Sequence, residues 1–413
     1  MITHILNGNL LDTETMELVG ERHLTLSEDR IVDVSESPPT GHVDLRIDVR
    51  GRQVMPGFID GHVHHVITTM DFVKLRKMSP IELALSMGKL AEASVRRGFT
   101  TVRDTGGHTK GLVRAIESGL CEGPRIIRSG RAISQTGGHG DLGAAGDAVD
   151  TGLCVCQVST DDFSHVADGP DAVRGAVRHE LRDGSQFIKL MTSGGVASPS
   201  DPFDCVQYTA EEVRAATIET DHRHTYATAH AYQPEAISLA IENGVRCIEH
   251  GNLVDAETAA RMRELEVTMV PTLVTYRAMA ELGPKVGLPE RNVSKNRGVF
   301  ESGQQSIEIA REAGVELGFG TDLLGEAQTW QNLEFQIRSE LEPARDVLAA
   351  MYRTNARLCG LEGEIGQLVP GAFADLVVTE VDPLEDLAAL ADPEKTLSVI
   401  VSRGKPIRNR LAI

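Results

Sequence analysis

No basic run that could track a phosphate backbone occurs anywhere in the 413 residues, and the formal charge of −19 comes from 60 acidic against 41 basic residues. That balance argues against a nucleic-acid partner. Nor does any stretch approach the roughly 18 uninterrupted apolar residues of a membrane helix. The first twenty residues lack the basic start and apolar centre of a secretion signal. The expectation is therefore a cytoplasmic protein with no membrane partner. Cysteine is scarce and scattered, at Cys121, Cys154, Cys156, Cys205, Cys247 and Cys359, which suits reduced thiols better than a disulfide framework. Only Cys154 and Cys156 invite a metal reading, and their spacing is tighter than structural zinc sites use. Linkers, low-complexity segments and short repeats are missing too. What is present is ordinary for a globular chain with a large core: 41% hydrophobic and 24% charged residues.

The first fifty or so residues read as short strands and turns: Ile2 to Leu6, a turn at Asn7-Gly8-Asn9, then Arg30 to Val34. From Pro56 to about Glu364 the pattern becomes helix, glycine, strand, repeated. Ile81 to Arg97 stops at Gly98, Pro234 to Asn243 at Gly244, and Gln305 to Ala313 at Gly314, each followed by a short apolar run. Glycine suits the left-handed position after a helix, and apolar runs without alternation suit strands buried on both faces. Thr209 with Glu212 has the form of a capping box opening the helix that ends near His222.

Eight strands are expected in order: Val54 to Asp60, Thr101 to Asp104, Ile126 to Arg131, Phe187 to Met191, Ala227 to His230, Cys247 to His250, Thr268 to Pro271 and Leu317 to Asp322. The fold class this implies is α/β, a (β/α)₈ TIM-like barrel over residues 55–364. Strand character returns after the barrel, through Gly371-Ala-Phe-Ala-Asp375 and Leu397 to Val401. Residues 1–54 and 365–413 are expected to form one small β-sandwich.

The strongest chemical signal is Pro56-Gly-Phe-Ile-Asp-Gly-His62-Val-His64. Alternate side chains of a strand share a face, so His62 and His64 can reach one metal together, although two loop histidines would look the same. Other strand ends carry ligand-type residues as well: Lys189, His230, His250 and Asp322. In a TIM barrel those ends converge on the face that holds the active site. Taken as a set, the six are expected to hold metal. Glycine-rich loops at Ser134 to Asp141, carrying His139, and at Thr192 to Asp201 would shape the pocket. Arg103 and Asp104 read as a buried pair holding the second strand. His65, His108, His222 and His224 have no assigned role.

These motifs resemble the amidohydrolase superfamily over essentially the full chain, and within it the imidazolonepropionase-related branch that contains Xaa-Pro and other metal-dependent dipeptidases. The resemblance implies that His62, His64 and Asp322 hold a first divalent metal and His230 and His250 a second. Lys189, carbamylated, would bridge them, because an unmodified ammonium has no lone pair to offer. Zinc suits such donors, with manganese or cobalt able to substitute. Two cations roughly 3.5–4 Å apart would hold a bridging hydroxide as nucleophile, and Asp322 would shuttle its proton to the departing amine. By the same resemblance His139 and Tyr232 bind the substrate's carboxylate or amide carbonyl, an Xaa-Pro dipeptide is the preferred substrate, and the assembly is a homo-oligomer, up to an octamer. The competing expectations are an amidase for other N-acyl amino acids, a dipeptidase for Xaa-Arg/Lys or Xaa-hydrophobic peptides, and a ring-opening or deaminating enzyme. A catalytically silent scaffold would have lost ligands, and here the set is complete.

Overall fold

The computed structural model describes residues 1–142, 163–198 and 201–411. The first strand, β1 (Ile2–Asp12), runs straight through the expected Asn7 turn. It does so because Asn7 takes a left-handed conformation (φ 59°) that absorbs a register shift against β2 (Glu17–Ser27) without ending the ladder. The strands β3 (Arg30–Ser35), β4 (Leu45–Asp48) and β5 (Gln53–Pro56) follow.

The expected strand from Val54 to Asp60 is two strands. Pro56 closes β5, and β6 (Phe58–Val63) opens the barrel. Gly57 N donates to Asp375 O and Phe58 N to Gly98 O, both at 2.9 Å, so consecutive amides serve different sheets.

Two parallel arcs then surround the core. One joins β6, β7 (Phe99–Asp104) and β8 (Arg125–Arg128). The other runs through β9 (Ala132–Ser134), β10 (Ser164–Val166), β11 (Ile188–Met191), β12 (Ala227–Ala231), β13 (Cys247–His250) and β14 (Thr268–Val270), in the order β10-β9-β11-β12-β13-β14. This is a TIM-barrel-like α/β fold whose ladder is interrupted. The expected eighth strand, Leu317 to Asp322, makes only one bridge, Met269 with Leu317. It still ties the arcs together: Gly318 N donates to Met269 O (2.8 Å), Gly61 N to Phe319 O (2.7 Å) and Asp322 N to His62 O (2.8 Å). The left-handed φ of 49° at Asp322 turns the chain out of strand geometry there. The expected third strand likewise ends at Arg128, three residues early, and resumes as β9.

Helices pack outside, as the sequence predicts. Ser79 and Glu82 form a capping box on Pro80–Arg96, and Thr209 and Glu212 one on Ala210–His222. The barrel helices end at Gly98, Gly244 and Gly314 with φ of 98°, 94° and 75°.

After the barrel, β15 (Leu376–Thr379), β16 (Leu397–Ser402) and β17 (Lys405–Asn409) join the N-terminal strands. The result is one eight-stranded sheet, β17-β16-β15-β5-β1-β2-β3 with β4 on β1, rather than the two stacked layers of the expected sandwich. It curls because β3 returns to the chain just before β15: Ile31 N donates to Ala372 O (2.9 Å) and Gly371 N to Ile31 O (2.8 Å). The curl encloses its own core of Ile5, Leu24, Leu26, Val54, Val378 and Val399. Among the described residues no helix is long and apolar enough to cross a membrane. Cys121, Cys205, Cys247 and Cys359 are free thiols, while Cys154 and Cys156 lie outside the described residues.

Candidate metal centre

His62 lies in β6, His64 follows its end, and Asp322 sits on the turn beside them. His62 Nε2 and His64 Nε2 are 3.2 Å apart, and Asp322 Oδ1 is 3.4 Å from the first and 3.2 Å from the second. The opposite ring nitrogens fix what these atoms present. His62 Nδ1 is 2.7 Å from Glu249 Oε2 and His64 Nδ1 3.2 Å from Gly106 O. Both partners can only accept, so in the neutral ring each Nδ1 carries the proton and each Nε2 a lone pair. Two lone pairs and a carboxylate oxygen thus meet with no donor among them, an arrangement that a cation satisfies.

The electrostatics agree. Burial opposes charge on His62, yet Asp322 and Glu249 lift its pKa above the ordinary value. Burial likewise opposes charge on Asp322, but His62, His64 and His250 hold its carboxyl well below the usual range. The pocket favours positive charge between these groups.

His230 and His250 line the adjoining wall. Their rings lie 4.7 Å apart, and His250 is 4.8 Å from His62. His230 Nε2 donates to Gly194 O (3.0 Å), leaving Nδ1 as its lone-pair atom, and His250 Nδ1 bonds Thr272 Oγ1 (2.8 Å). Burial keeps both neutral, their pKa values far below the ordinary one, with His139 adding repulsion at His230. Lys189, on β11, is 1% exposed. Burial draws its ammonium down to about 8 against the pull of Glu249 and Asp322. At the barrel mouth, among the described residues, His62, His64 and Asp322 bring three donor atoms within 4.8 Å of one another; His230 and His250 adjoin them through ring contacts without joining that triplet.

Of the expected substrate-facing residues, His139 stacks on His230 with ring centroids 4.2 Å apart, and its side chain is 11% exposed, less open than a loop histidine would be. Gly195 makes this possible, since a Cβ there would stand 2.2 Å from His139 Cε1. Tyr232 lies 4.7 Å from His230 and 5.5 Å from His250.

Sequence reasoning missed the groups behind these. Glu249 bonds His62 and forms a fully buried ion pair with Arg103 Nη1 at 2.8 Å. Its signal was a lone charge in the otherwise apolar Cys247-Ile-Glu-His250. Asp60 accepts from His62 N (3.0 Å), Thr321 N (3.1 Å), Thr321 Oγ1 (2.6 Å) and Gln331 Nε2 (2.8 Å), so one carboxylate aligns the strand of His62 with the turn of Asp322. Tyr276 stands 3.1 Å from the Tyr232 hydroxyl. Arg103 and Asp104 are buried but not paired with each other, because neighbouring strand residues face opposite sides. Asp104 instead holds His65 Nδ1 at 2.9 Å, which gives that histidine a structural place.

The model of the amidohydrolase family matches residues 53–407. Ochratoxinase from Aspergillus niger is 28% identical over 366 residues, 84% of this chain and 74% of the relative. A crystal structure of a prolidase complexed with N-methylphosphonate-L-proline is 42% identical, with a TM-score of 0.93 over 99% of this chain and 100% of that one. A Xaa-Pro dipeptidase with methionine bound in its active site is 28% identical, with a TM-score of 0.83 over 98% of this chain and 99% of that one.

Proposed function

The chain belongs to the amidohydrolase family, and we propose that it hydrolyses the amide bond of dipeptides, Xaa-Pro above others. The observation that carries the reading is the meeting of His62 Nε2, His64 Nε2 and Asp322 Oδ1 with no donor between them. The likeness to the prolidase crystallised with a proline phosphonate supports the substrate. His62, His64 and Asp322 would hold one divalent ion, His230 and His250 a second, with carbamylated Lys189 between them. Zinc matches these donors. When bound, the ions supply Lewis acidity toward the scissile carbonyl and the attacking water.

The remaining work falls to the chain's own side chains. Asp322 is 15% exposed where His62 is 0% and His64 6%, so it alone of the three keeps appreciable access to the pocket. Its carboxylate takes the proton of the attacking water and passes it to the departing amine. Glu249 and Asp60 keep His62 oriented through that transfer. Tyr232 and His139 hold the substrate's carboxylate or carbonyl. We assign the reaction to residues 55–364, with 1–54 and 365–413 as the closing unit, and expect a homo-oligomer up to an octamer, which light scattering measures.

The ochratoxinase likeness supports a second reading, an amidase for other N-acyl amino acids. Amine release from a panel of dipeptides and N-acyl amino acids, with zinc and with manganese, separates the two. Activity on neither class removes both.

A further inference from the structure

Away from the barrel mouth, a second set of donors meets where the helix Pro170–Arg182 packs over β9 and β11, beside β10, which pairs with β9. His165 comes from β10, His179 and Glu180 from the helix, and one donor atom of each lies within 4.8 Å of the others. His165 Nδ1 and His179 Nδ1 are both 3.5 Å from Glu180 Oε1. Glu180 is 2% exposed, and its orientation is fixed independently: Arg131 N donates to Oε2 at 3.1 Å while Arg131 Nε donates to Oε1 at 2.9 Å.

The informative contact is the 3.3 Å between Arg131 Nη2 and His179 Nδ1. A guanidinium has no acceptor, so His179 Nδ1 must present a lone pair to it. A cation therefore already sits at the focus of an imidazole lone pair and a carboxylate oxygen. His165 Nδ1, buried beside them, has only its 3.5 Å approach to Glu180 Oε1 and no well-formed hydrogen bond.

We propose that His165 Nδ1, His179 Nδ1 and Glu180 Oε1 form a zinc site separate from the catalytic centre, with Arg131 standing in for the ion when zinc is scarce. Two imidazoles and a carboxylate are zinc donors, and three of them leave a fourth position for water. The Arg131 side chain is 22% exposed, so its guanidinium has a way out to solvent, and its backbone amide continues to hold Oε2 after it leaves. Exchange replaces one positive charge by two beside the same carboxylate. The ion would also brace β10, and Phe163, just ahead of that strand, packs edge-on against His64 with ring centroids 5.3 Å apart.

The test is equilibrium dialysis of the full chain against zinc, with metal content measured for wild type, His179→Ala, His165→Gln and Arg131→Ala. Wild type should hold one zinc per chain more than either histidine variant. Arg131→Ala should fill that extra site at roughly tenfold lower free zinc, the competing cation being gone. His179 is 45% exposed, so its loss leaves folding intact, which a thermal melt checks. Equal zinc content in wild type and both histidine variants overturns the proposal, as does loss in one histidine variant alone or unchanged affinity in Arg131→Ala. Because only differences between variants are read, none of these results bears on the catalytic ions, whose presence is judged from amine release.

Discussion

Replacing Glu249 by Gln separates two jobs that one buried carboxylate performs. Glu249 and Arg103 are both fully buried and 2.8 Å apart, so the substitution leaves an uncompensated guanidinium in the barrel. Breaking a buried pair from one side costs about 3–5 kcal/mol, a large part of the stability of most domains. The second job is the proton on His62. A carboxylate can only accept from Nδ1, whereas the Gln amide can donate to it and move the lone pair off Nε2. Zinc affinity should then fall about 10- to 100-fold. Urea unfolding of the metal-free protein reads the first effect, and chelator competition the second. Adding Arg103→Met should restore much of the stability but none of the affinity.

Acidification tests the same pair. Burial favours the neutral acid, but Arg103 and His62 hold the Glu249 carboxyl well below the ordinary glutamate range. A depressed folded pKa contributes stability that is complete above about pH 4.5 and is lost as pH falls through the folded value. Protonated Glu249 resembles Gln, so the stability gap between wild type and variant should close as pH drops below that point. A variant that unfolds like wild type and binds zinc equally well would refute the assignment.

Asp322→Asn keeps a ligating oxygen but cannot carry the proton; kcat should drop about 100-fold or more with part of the metal retained, and normal turnover removes Asp322 as shuttle. Lys189→Ala should lower metal content, read by elemental analysis, and abolish turnover; full occupancy with normal activity disproves the bridging carbamate. Tyr232→Phe should raise KM for a carboxylate-bearing substrate by about tenfold with little change in kcat, and an unchanged KM leaves the phenol without a binding role.

Much of the centre was legible in the residues because its cues are local. A histidine pair two apart at the end of an apolar run shares a face by strand geometry alone, and the alternation of helix, glycine and strand orders the other strand ends around one mouth. Capping boxes and helix-ending glycines work within a few residues and were equally readable. Tertiary structure decided the rest. Glu249 on β13 meets Arg103 on β7 and His62 on β6 only because the arcs fix the heights of separate strands relative to one another. Asp60 finds Thr321 and Gln331 across the place where the ladder is interrupted. The division of Val54 to Asp60 between two sheets depends on which distant backbone, Asp375 or Gly98, accepts each amide. Such pairings are settled by the packing of the whole chain, because a buried charge or amide takes whichever partner the assembled walls put within reach.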